Sequence, residues 1–361
     1  MGQVVHVIDA ACGLDALLEA AQLAGPDQPL MCIGPPPAWD DSPPRFGLPA
    51  PMQTVSVWGL RGRRRRKLRD LIPPQAVPLC WSISAAAALR AAGDRAGPAP
   101  LIRLTAAAEP QLHELHRLSE STRPTVVCIH TSIAEALAGV APATEVKVIG
   151  PLACRVPAGK ARRARARKRL GLADEQVAIA APGPVERGSG HRMAVWATAI
   201  LTVAEVAVRL VMQETGRAAR QAANFARQAG FAEQTILAPP QVPLPELLAA
   251  ADVAVFLGPD RLPPVHLASA MAAGLPIVAA DTPAAGEWLA FGRSALPAAA
   301  DKPRDVARAL LRVIEDKALG ARLGRSARQA AKRKFDPQSI RRQWADLYAA
   351  VSAPAAGRAG G

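Results

Sequence analysis

The sequence predicts an α/β protein with two doubly wound parallel sheets in tandem. Apolar runs of strand length alternate with stretches of helical periodicity along most of the chain. Nearly every one of these runs is a continuous series of Val, Ile and Leu, which is typical of strands that helices cover on both faces. The alternation breaks off at residues 151–171 and then resumes, so we expect two domains that each repeat the βα unit.

In the first domain, short apolar runs bounded by turn residues predict the strands, and the segments between them predict helices. The predicted strands are residues 4–10, 30–33, 54–58, 77–81, 101–104, 125–129 and 146–149. The predicted helices are residues 14–24, 63–71, 84–92, 109–118 and 133–138. Because strands and helices alternate in this way, we expect parallel pairing.

The segment at residues 151–171 contains two prolines and a basic cluster, and we interpret it as a linker with a surface helix. Beyond it, the predicted strands are residues 176–181, 207–212, 234–237, 253–257 and 276–280. The predicted helices are residues 191–204, 217–229, 244–250, 265–273, 284–290, 303–315, 318–334 and 337–351. Because such sheets bind ligands at the carboxyl ends of their strands, we expect the functional site there.

The composition excludes several classes of protein. Half of the 361 residues are hydrophobic and 20% are charged, which excludes a disordered chain. The longest uncharged stretches, residues 71–89 and 262–280, each contain several prolines and therefore do not predict membrane-spanning helices. Since the N-terminal segment has no basic leader and the five cysteines are widely spaced, we expect a cytoplasmic protein with buried thiols.

The chain has 44 Lys and Arg against 30 Asp and Glu, a formal net charge of +14. Two dense basic clusters stand out, one from Arg61 to Arg69 and one from Lys160 to Arg169. Such clusters are most often solvated surface, and the alternatives are contact with anionic lipid, an anionic substrate or nucleic acid. Because aromatic residues make up only 4% of the chain and avoid both clusters, nucleic acid is the least favoured partner. Peripheral contact with an anionic membrane at its inner face would involve residues 61–69.

Several segments of the second half form a pattern. They are Ala250-Ala251-Asp252-Val253, Ala270-Met271-Ala272-Ala273-Gly274, Ala285-Gly286-Glu287 and the loop Arg187-Gly188-Ser189-Gly190-His191-Arg192. Together they resemble the C-terminal half of the group 1 glycosyltransferases, the family 4-like enzymes of the GT-B fold. The resemblance is strong from residue 146 to residue 348 and weaker, though in register, before that.

The resemblance implies two Rossmann-like domains that face each other across a cleft. It assigns an acceptor domain to residues 1–157, completed by a returning helix at 337–351, and a nucleotide-sugar donor domain to residues 172–335. The small and polar composition of residues 352–361 predicts a flexible tail. It implies a hexosyltransferase-like reaction that is typically retaining and needs no metal. The nucleotide sugar is then a substrate rather than a cofactor, and the acceptor, a sugar, a lipid or a glycan, stays open.

A departing diphosphate develops negative charge, so its site needs fixed cations and backbone amides. Gly183, Gly188 and Gly190 precede a predicted helix and would let backbone amides approach phosphate. The resemblance places Arg187 where the family has its diphosphate-binding lysine. Arg192 is a weaker candidate, and the alternative for its side chain is exposure to solvent. The alternative is that this is an ordinary glycine-rich loop before a helix.

The chain departs from the family at the donor sugar. The family's two donor-binding glutamates correspond to Arg261 and Ser269. Ser269 could accept a hydrogen bond from a ribose hydroxyl, whereas Arg261 only donates and would suit a diphosphate or an anionic sugar. The sugar contact could instead pass to Asp260. Glu287 matches a family glutamate, and its alternative role is a helix cap.

Two histidines complete the set of candidates. His130 closes a predicted strand of the acceptor domain and is the candidate catalytic base, although a lone histidine is more often structural. His266 begins the helix that carries Ser269, where a neutral hydrogen bond is the expected use. Three hypotheses stay open: a working transferase with remodelled donor contacts, a degenerate GT-B pseudo-enzyme that acts as a binding or assembly partner, and a basic module for membranes or nucleic acid.

Overall fold

The computed structural model describes residues 4–9, 14–24, 30–33, 52–55, 72–92, 98–105, 109–139, 141, 144–213, 218–239, 241–258 and 262–352. Within these ranges the chain divides into two compact units. The first unit contains the described residues up to Pro151 and the helix that begins at Pro337, and the second contains Leu152–Asp336. Among the described helices, none combines the length and the hydropathy that a membrane span requires.

The first unit is built on a seven-stranded parallel sheet. Its strands are β1 (Val4–Asp9), β2 (Leu30–Ile33), β3 (Met52–Val55), β4 (Val77–Cys80), β5 (Leu101–Leu104), β6 (Thr125–Cys128) and β7 (Glu145–Val148). Its described helices are α1 (Leu14–Leu23), α2 (Ile83–Ala91), α3 (Glu109–Thr122), α4 (Thr131–Ala138) and α13 (Pro337–Ser352). The strand order is β3-β2-β1-β4-β5-β6-β7, so the winding reverses between β1 and β4.

The sequence of each strand matches its place in this sheet. Every residue of β4, β5 and β6 is buried, as expected for strands that helices cover on both faces, although β5 contains Arg103. Strand β7 lies at the edge, alternates charged and apolar residues, and is largely exposed. Helix α2 begins where the Ser82 hydroxyl accepts a hydrogen bond from the Ala85 amide, which satisfies one free donor of the first turn.

One charged side chain lies in the core of the first unit. Arg103 on β5 is 1% exposed and donates hydrogen bonds to the Glu19 carboxylate on α1 and to the carbonyl oxygens of Ile149 and Gly150. Its guanidinium carbon lies 5.5 Å from the centre of the Trp344 ring on α13. Arg103 therefore joins four separate segments of the unit, and its charge is compensated by a buried carboxylate.

The second unit is built on a six-stranded parallel sheet. Its strands are β8 (Val177–Ala181), β9 (Val208–Gln213), β10 (Thr235–Ala238), β11 (Val253–Phe256), β12 (Ile277–Ala280) and β13 (Leu296–Ala298). Its helices are α5 (Lys160–Arg169), α6 (His191–Val203), α7 (Ala219–Gln228), α8 (Leu244–Ala250), α9 (Pro264–Ala273), α10 (Pro283–Gly286), α11 (Pro303–Glu315) and α12 (Lys317–Lys334). The order β10-β9-β8-β11-β12-β13 reverses its winding between β8 and β11.

Helices cover this second sheet on both faces. Helices α6, α7 and α11 contribute to one hydrophobic core with side chains from alternate positions of the strands. Helices α5, α8, α9 and α12 form a second series, in which each helix packs against the next. Both units therefore have the doubly wound parallel architecture that the continuous apolar runs predict.

Two local predictions differ from the structure or fall outside it, and one strand was not predicted. The helix predicted at 284–290 is only the single turn α10, because Trp288 and Leu289 turn into the core directly after it. Strand β13 was not predicted, since its three residues include a proline. The predicted helix at 63–71 lies outside the described residues.

Candidate functional site

The carboxyl edge of the second sheet brings together most of the predicted phosphate-binding residues. The segments that follow β8, β11, β12 and β13 line a cleft of about 1580 Å³, and α6, α7 and α11 supply the rest of its wall. This edge includes the point between β8 and β11 where the winding reverses, which is the usual ligand site of doubly wound sheets. The position is the one predicted from the sequence. Arg187, Gly188, Gly190 and Arg192 all line this cleft.

The loop from Gly183 to Gly190 lies very close to the end of β11. Gly190 has φ = 79° and precedes α6, and a Cβ atom at this position would lie 2.4 Å from the Leu257 carbonyl carbon. Gly183 has φ = 114°, and a Cβ atom there would lie 3.0 Å from Pro263. Both positions therefore require glycine, for backbone conformation and for space.

The turn before α6 is held by a serine and a histidine. The Ser189 hydroxyl accepts a hydrogen bond from the Glu186 amide and lies 2.7 Å from Nδ1 of His191. Nε2 of His191 lies 3.1 Å from the Ala181 carbonyl oxygen at the end of β8. Burial lowers the pKa of His191 to about 4, outweighing the opposite effect of this hydrogen bond. A neutral His191 therefore links the strand to the helix.

A second buried link involves Gln213, the last residue of β9. Its Oε1 accepts hydrogen bonds from the Gly183 amide and from Nε2 of His266 on α9, each at 3.0 Å. Because the amide of Gly183 needs an oxygen acceptor, Oε1 must face both donors, and Nε2 of His266 must carry a hydrogen. The hydrogen bond predicted for His266 is present. Gln213 therefore fixes the start of the glycine loop relative to α9.

The two candidate arginines of the loop differ in their surroundings. Arg187 is exposed beside the cleft. Arg192, in the first turn of α6, holds its guanidinium carbon 4.8 Å from the centre of the Phe225 ring on α7, a cation–π contact. Arg187 is thus the better placed cation for a phosphate group at the loop, while Arg192 also packs against a neighbouring helix.

Ser269 differs from its prediction. It is fully buried on α9, where its hydroxyl donates to the Val265 carbonyl oxygen and accepts from the Cys154 amide. In this arrangement the hydroxyl is committed to two backbone groups, so it offers no exposed atom to a ribose. The structure therefore gives Ser269 a structural role, because its hydrogen bonds join α9 to the segment before α5.

The other predicted contacts lie elsewhere. Glu287 is half-buried and follows the single turn of α10 instead of starting a helix, so the predicted cap at a helix start is wrong. Arg261 and Asp260 lie outside the described residues. His130 lies at the carboxyl end of β6 as predicted, but it belongs to the first unit and is 4% exposed. Its role as a base stays a prediction.

Sequence reasoning missed Arg308 and Arg312, which line the cleft from α11. In the sequence, both look like ordinary residues on the polar face of an amphipathic helix. Only the spacing of four residues between them would have indicated that they share one face of that helix. Gln213 was also missed. Within the described ranges, no three His, Cys, Asp or Glu side chains come together in a group that could hold a metal ion.

Comparisons with known proteins support this picture. Residues 179–316 match the family model described as "Glycosyl transferases group 1". No curated protein matches the chain by sequence. Among solved structures, Anabaena Alr3699/HepE in complex with UDP and glucose has a TM-score of 0.77 at 16% identity, covering 96% of this chain and 99% of that chain.

Two further solved structures are similar over nearly their whole length. Sucrose-phosphate synthase from Thermosynechococcus elongatus has a TM-score of 0.68 at 17% identity, covering 96% of this chain and 98% of that chain. A glycosyltransferase from Rickettsia africae has a TM-score of 0.70 at 11% identity, with coverages of 97% and 99%. At such identities the likeness shows the fold. The chain has the GT-B fold, and its second unit carries the sequence pattern of the group 1 glycosyltransferases.

Proposed function

We propose that this protein is a glycosyltransferase that binds a nucleotide sugar in the cleft of its second unit. The observation that carries the proposal is the exposed Arg187 on a glycine loop at the point where the sheet reverses its winding. The loop ends at the N-terminus of α6, whose free amides favour an anion. This combination suits the diphosphate of a nucleotide sugar.

The mechanism follows from the charge that develops when the glycosyl–phosphate bond breaks. Negative charge grows on the departing diphosphate, and a cation fixed beside it stabilises the transition state more than the ground state. We assign this role to Arg187, with backbone amides of the loop as further donors. The transfer would be retaining and metal-independent, as the resemblance implies, with no cofactor beyond the nucleotide-sugar substrate.

UDP sugars are the first donors to test. The similar Anabaena structures are complexes with UDP, with UDP and glucose, and with UDP-glucose. We therefore propose a UDP-linked hexose as donor, to be compared with GDP- and ADP-linked sugars. We assign the acceptor to the first unit, where His130 is the candidate base. Peripheral contact of residues 61–69 with an anionic membrane belongs to the same proposal, and a lipid acceptor would fit it.

Thermal unfolding in the presence of each nucleotide sugar tests donor binding. A ligand at a hundred times its dissociation constant stabilises the folded state by roughly 2.7 kcal/mol, which a thermal scan detects. Replacing Arg187→Gln removes a charge-assisted contact and should weaken binding about 10- to 100-fold. The matched control is Arg227→Gln, since Arg227 is an exposed arginine on α7. Equal loss in both variants, or no stabilisation by any donor, contradicts the proposal.

A pseudo-enzyme is the second candidate, and the position of Ser269 favours it. One of the two family donor contacts is replaced by a hydroxyl that is buried and bonded to Val265 and Cys154. A scaffold of this kind would serve as a binding or assembly partner. The two candidates separate in one measurement: a transferase releases free UDP from a stabilising donor in the presence of water or acceptor, while a pseudo-enzyme does not.

A further inference from the structure

Two helices of the second unit are strongly basic. Helix α5, with the sequence KARRARARKR, and helix α12, with the sequence KALGARLGRSARQAAKRK, each contain seven Lys and Arg and no Asp or Glu. Together they carry as much positive charge as the net +14 of the whole chain. A third group of seven Lys and Arg, at residues 61–69, lies outside the described residues. Among the described helices, α5 and α12 have the largest net positive charge.

Part of this charge is used inside the fold and fixes how α5 lies. Arg163 and Arg167 donate to the carboxylate of Asp252 and to carbonyl oxygens at the end of α8, and Arg167 is only 4% exposed. Arg169 pairs with Glu246 on α8. These contacts hold one side of α5 against α8. Arg162, Arg165 and Lys168, which take no part in these contacts, are exposed to solvent.

Helix α12 is also held in one orientation. Its inner side carries glycines and alanines, and Gly324 approaches the end of α9 so closely that a Cβ atom would lie 2.1 Å from the Gly274 carbonyl oxygen. This contact requires the side of α12 with the small residues to face α9. Arg325 and Lys332, seven positions apart and therefore on one side of the helix, are exposed.

The two basic helices lie at the ends of one contiguous series. Helix α5 packs against α8, α8 against α9, and α9 against α12. With about 8–10 Å between packed helix axes, such a series spans up to roughly 30 Å. The acid that α8 contributes, Glu246, is already paired with Arg169, and α9 has no charged residue. Exposed acids lie beyond the ends of the helices, at Asp174 and Glu175 after α5 and at Glu315 and Asp316 before α12.

We propose that this basic surface, formed by α5 and α12, binds an anionic lipid bilayer. A bilayer offers negative charge over an extended area, which suits cations at both ends of a series this wide. A nucleic acid suits it less. The major groove of a duplex is only about 12 Å across, and single strands need exposed aromatic rings to stack on. Among the described residues, the exposed large hydrophobic side chains are Val148, Trp196 and Val203, and none belongs to α5 or α12.

Co-sedimentation of the full chain with vesicles tests the proposal. The probes are vesicles of phosphatidylglycerol and phosphatidylcholine in equal parts, with pure phosphatidylcholine vesicles for comparison. The variants are Arg162→Gln/Arg165→Gln on α5 and Arg325→Gln/Lys332→Gln on α12. Each should weaken partition into the anionic vesicles about 30-fold, because each lost cation near an anionic surface weakens binding several-fold. Added salt should weaken the binding of the natural chain in the same direction.

The control variant is Arg220→Gln/Arg227→Gln, which removes two exposed cations from α7. It loses the same charge as each test variant, and it should keep vesicle binding within about threefold of the natural chain. Equal losses in the control and the test variants would reduce the effect to overall charge and overturn the proposal.

Three other results would also overturn it. One is equal binding to both kinds of vesicle, and another is tighter binding to duplex DNA than to anionic vesicles at the same salt concentration. The third is binding that is lost only when residues 61–69 are neutralised. Nucleotide-sugar stabilisation, measured on the same variants, should not change, so that failure of this proposal and failure of donor binding are distinguishable.

Discussion

Replacing Gln213→Leu should destabilise the second unit and loosen the donor loop. Oε1 of Gln213 accepts from two buried donors, the Gly183 amide and Nε2 of His266, at 3.0 Å each. Gln213 is 4% exposed and His266 is fully buried, so water cannot readily replace the lost acceptor. Leucine fills a similar volume and supplies no acceptor. Both donors would then be buried without this partner.

The expected magnitude follows from the cost of such groups. A buried donor left without its acceptor costs about 1–3 kcal/mol, so the loss of both bonds should lower the free energy of unfolding by about 2–6 kcal/mol. Urea titration gives the overall change, and hydrogen exchange of the β8 and β9 amides assigns it to the second unit. The same variant should bind UDP or UDP-glucose more weakly, because Gly183 is the first residue of the loop that carries Arg187.

A double-mutant cycle isolates the hydrogen bond itself. His266→Phe keeps a ring of similar size and removes one of the two donors. Combined with Gln213→Leu, it should cost less than the sum of the single changes, with a coupling of about 1–3 kcal/mol. Strictly additive effects, or a single Gln213→Leu change that costs under about 1 kcal/mol, would refute the reasoning.

Three further predictions concern the glycine loop, the buried ion pair and His191. Gly190→Ala should destabilise the second unit by well over the ~1–2 kcal/mol of a left-handed alanine, because its Cβ would meet Leu257, whereas Gly188→Ala has open space and should cost only that amount in urea titration. Arg103→Met should cost about 3–5 kcal/mol by the same measurement, because it leaves the Glu19 carboxylate buried, and adding Glu19→Met should recover most of the loss. As the pH falls from 6.5 to about 4, the unfolded chain takes up a proton at His191 and the folded chain does not. The free energy of unfolding should therefore fall by up to about 3 kcal/mol over this range. The variant His191→Gln should show a smaller dependence of the free energy of unfolding on pH between these values.

The fold was predictable because its signal is local. Continuous apolar runs such as those of β11 and β12 indicate a strand that is buried on both faces. The same logic fails for short elements, since β13 has three residues and a proline in the middle. This strand forms because it pairs with β12, and a short stretch of sequence gives no information about that pairing.

The site was predictable only where backbone geometry requires a particular residue. Glycine at position 190 follows from a close approach to Leu257, and the sequence shows that requirement directly. Ser269 shows the opposite case. Its hydroxyl binds the amide of Cys154, which lies 115 positions earlier in the chain, and a motif position cannot report such a partner. Gln213, the hydrogen-bond partner of His266 and 53 positions before it, was hidden for the same reason.

The second basic cluster shows why charge counting alone cannot assign function. In the sequence, the arginines of α5 form one uniform basic block, which predicts a solvated surface. In the structure, Arg167 is buried and donates hydrogen bonds to carbonyl oxygens and to the Asp252 carboxylate, while Arg162, five positions earlier, is exposed. Removing Arg167 should therefore unfold part of the unit, and removing Arg162 should leave stability unchanged. Only the exposed members of the block are available to a partner, so a test of lipid binding must spare the buried ones.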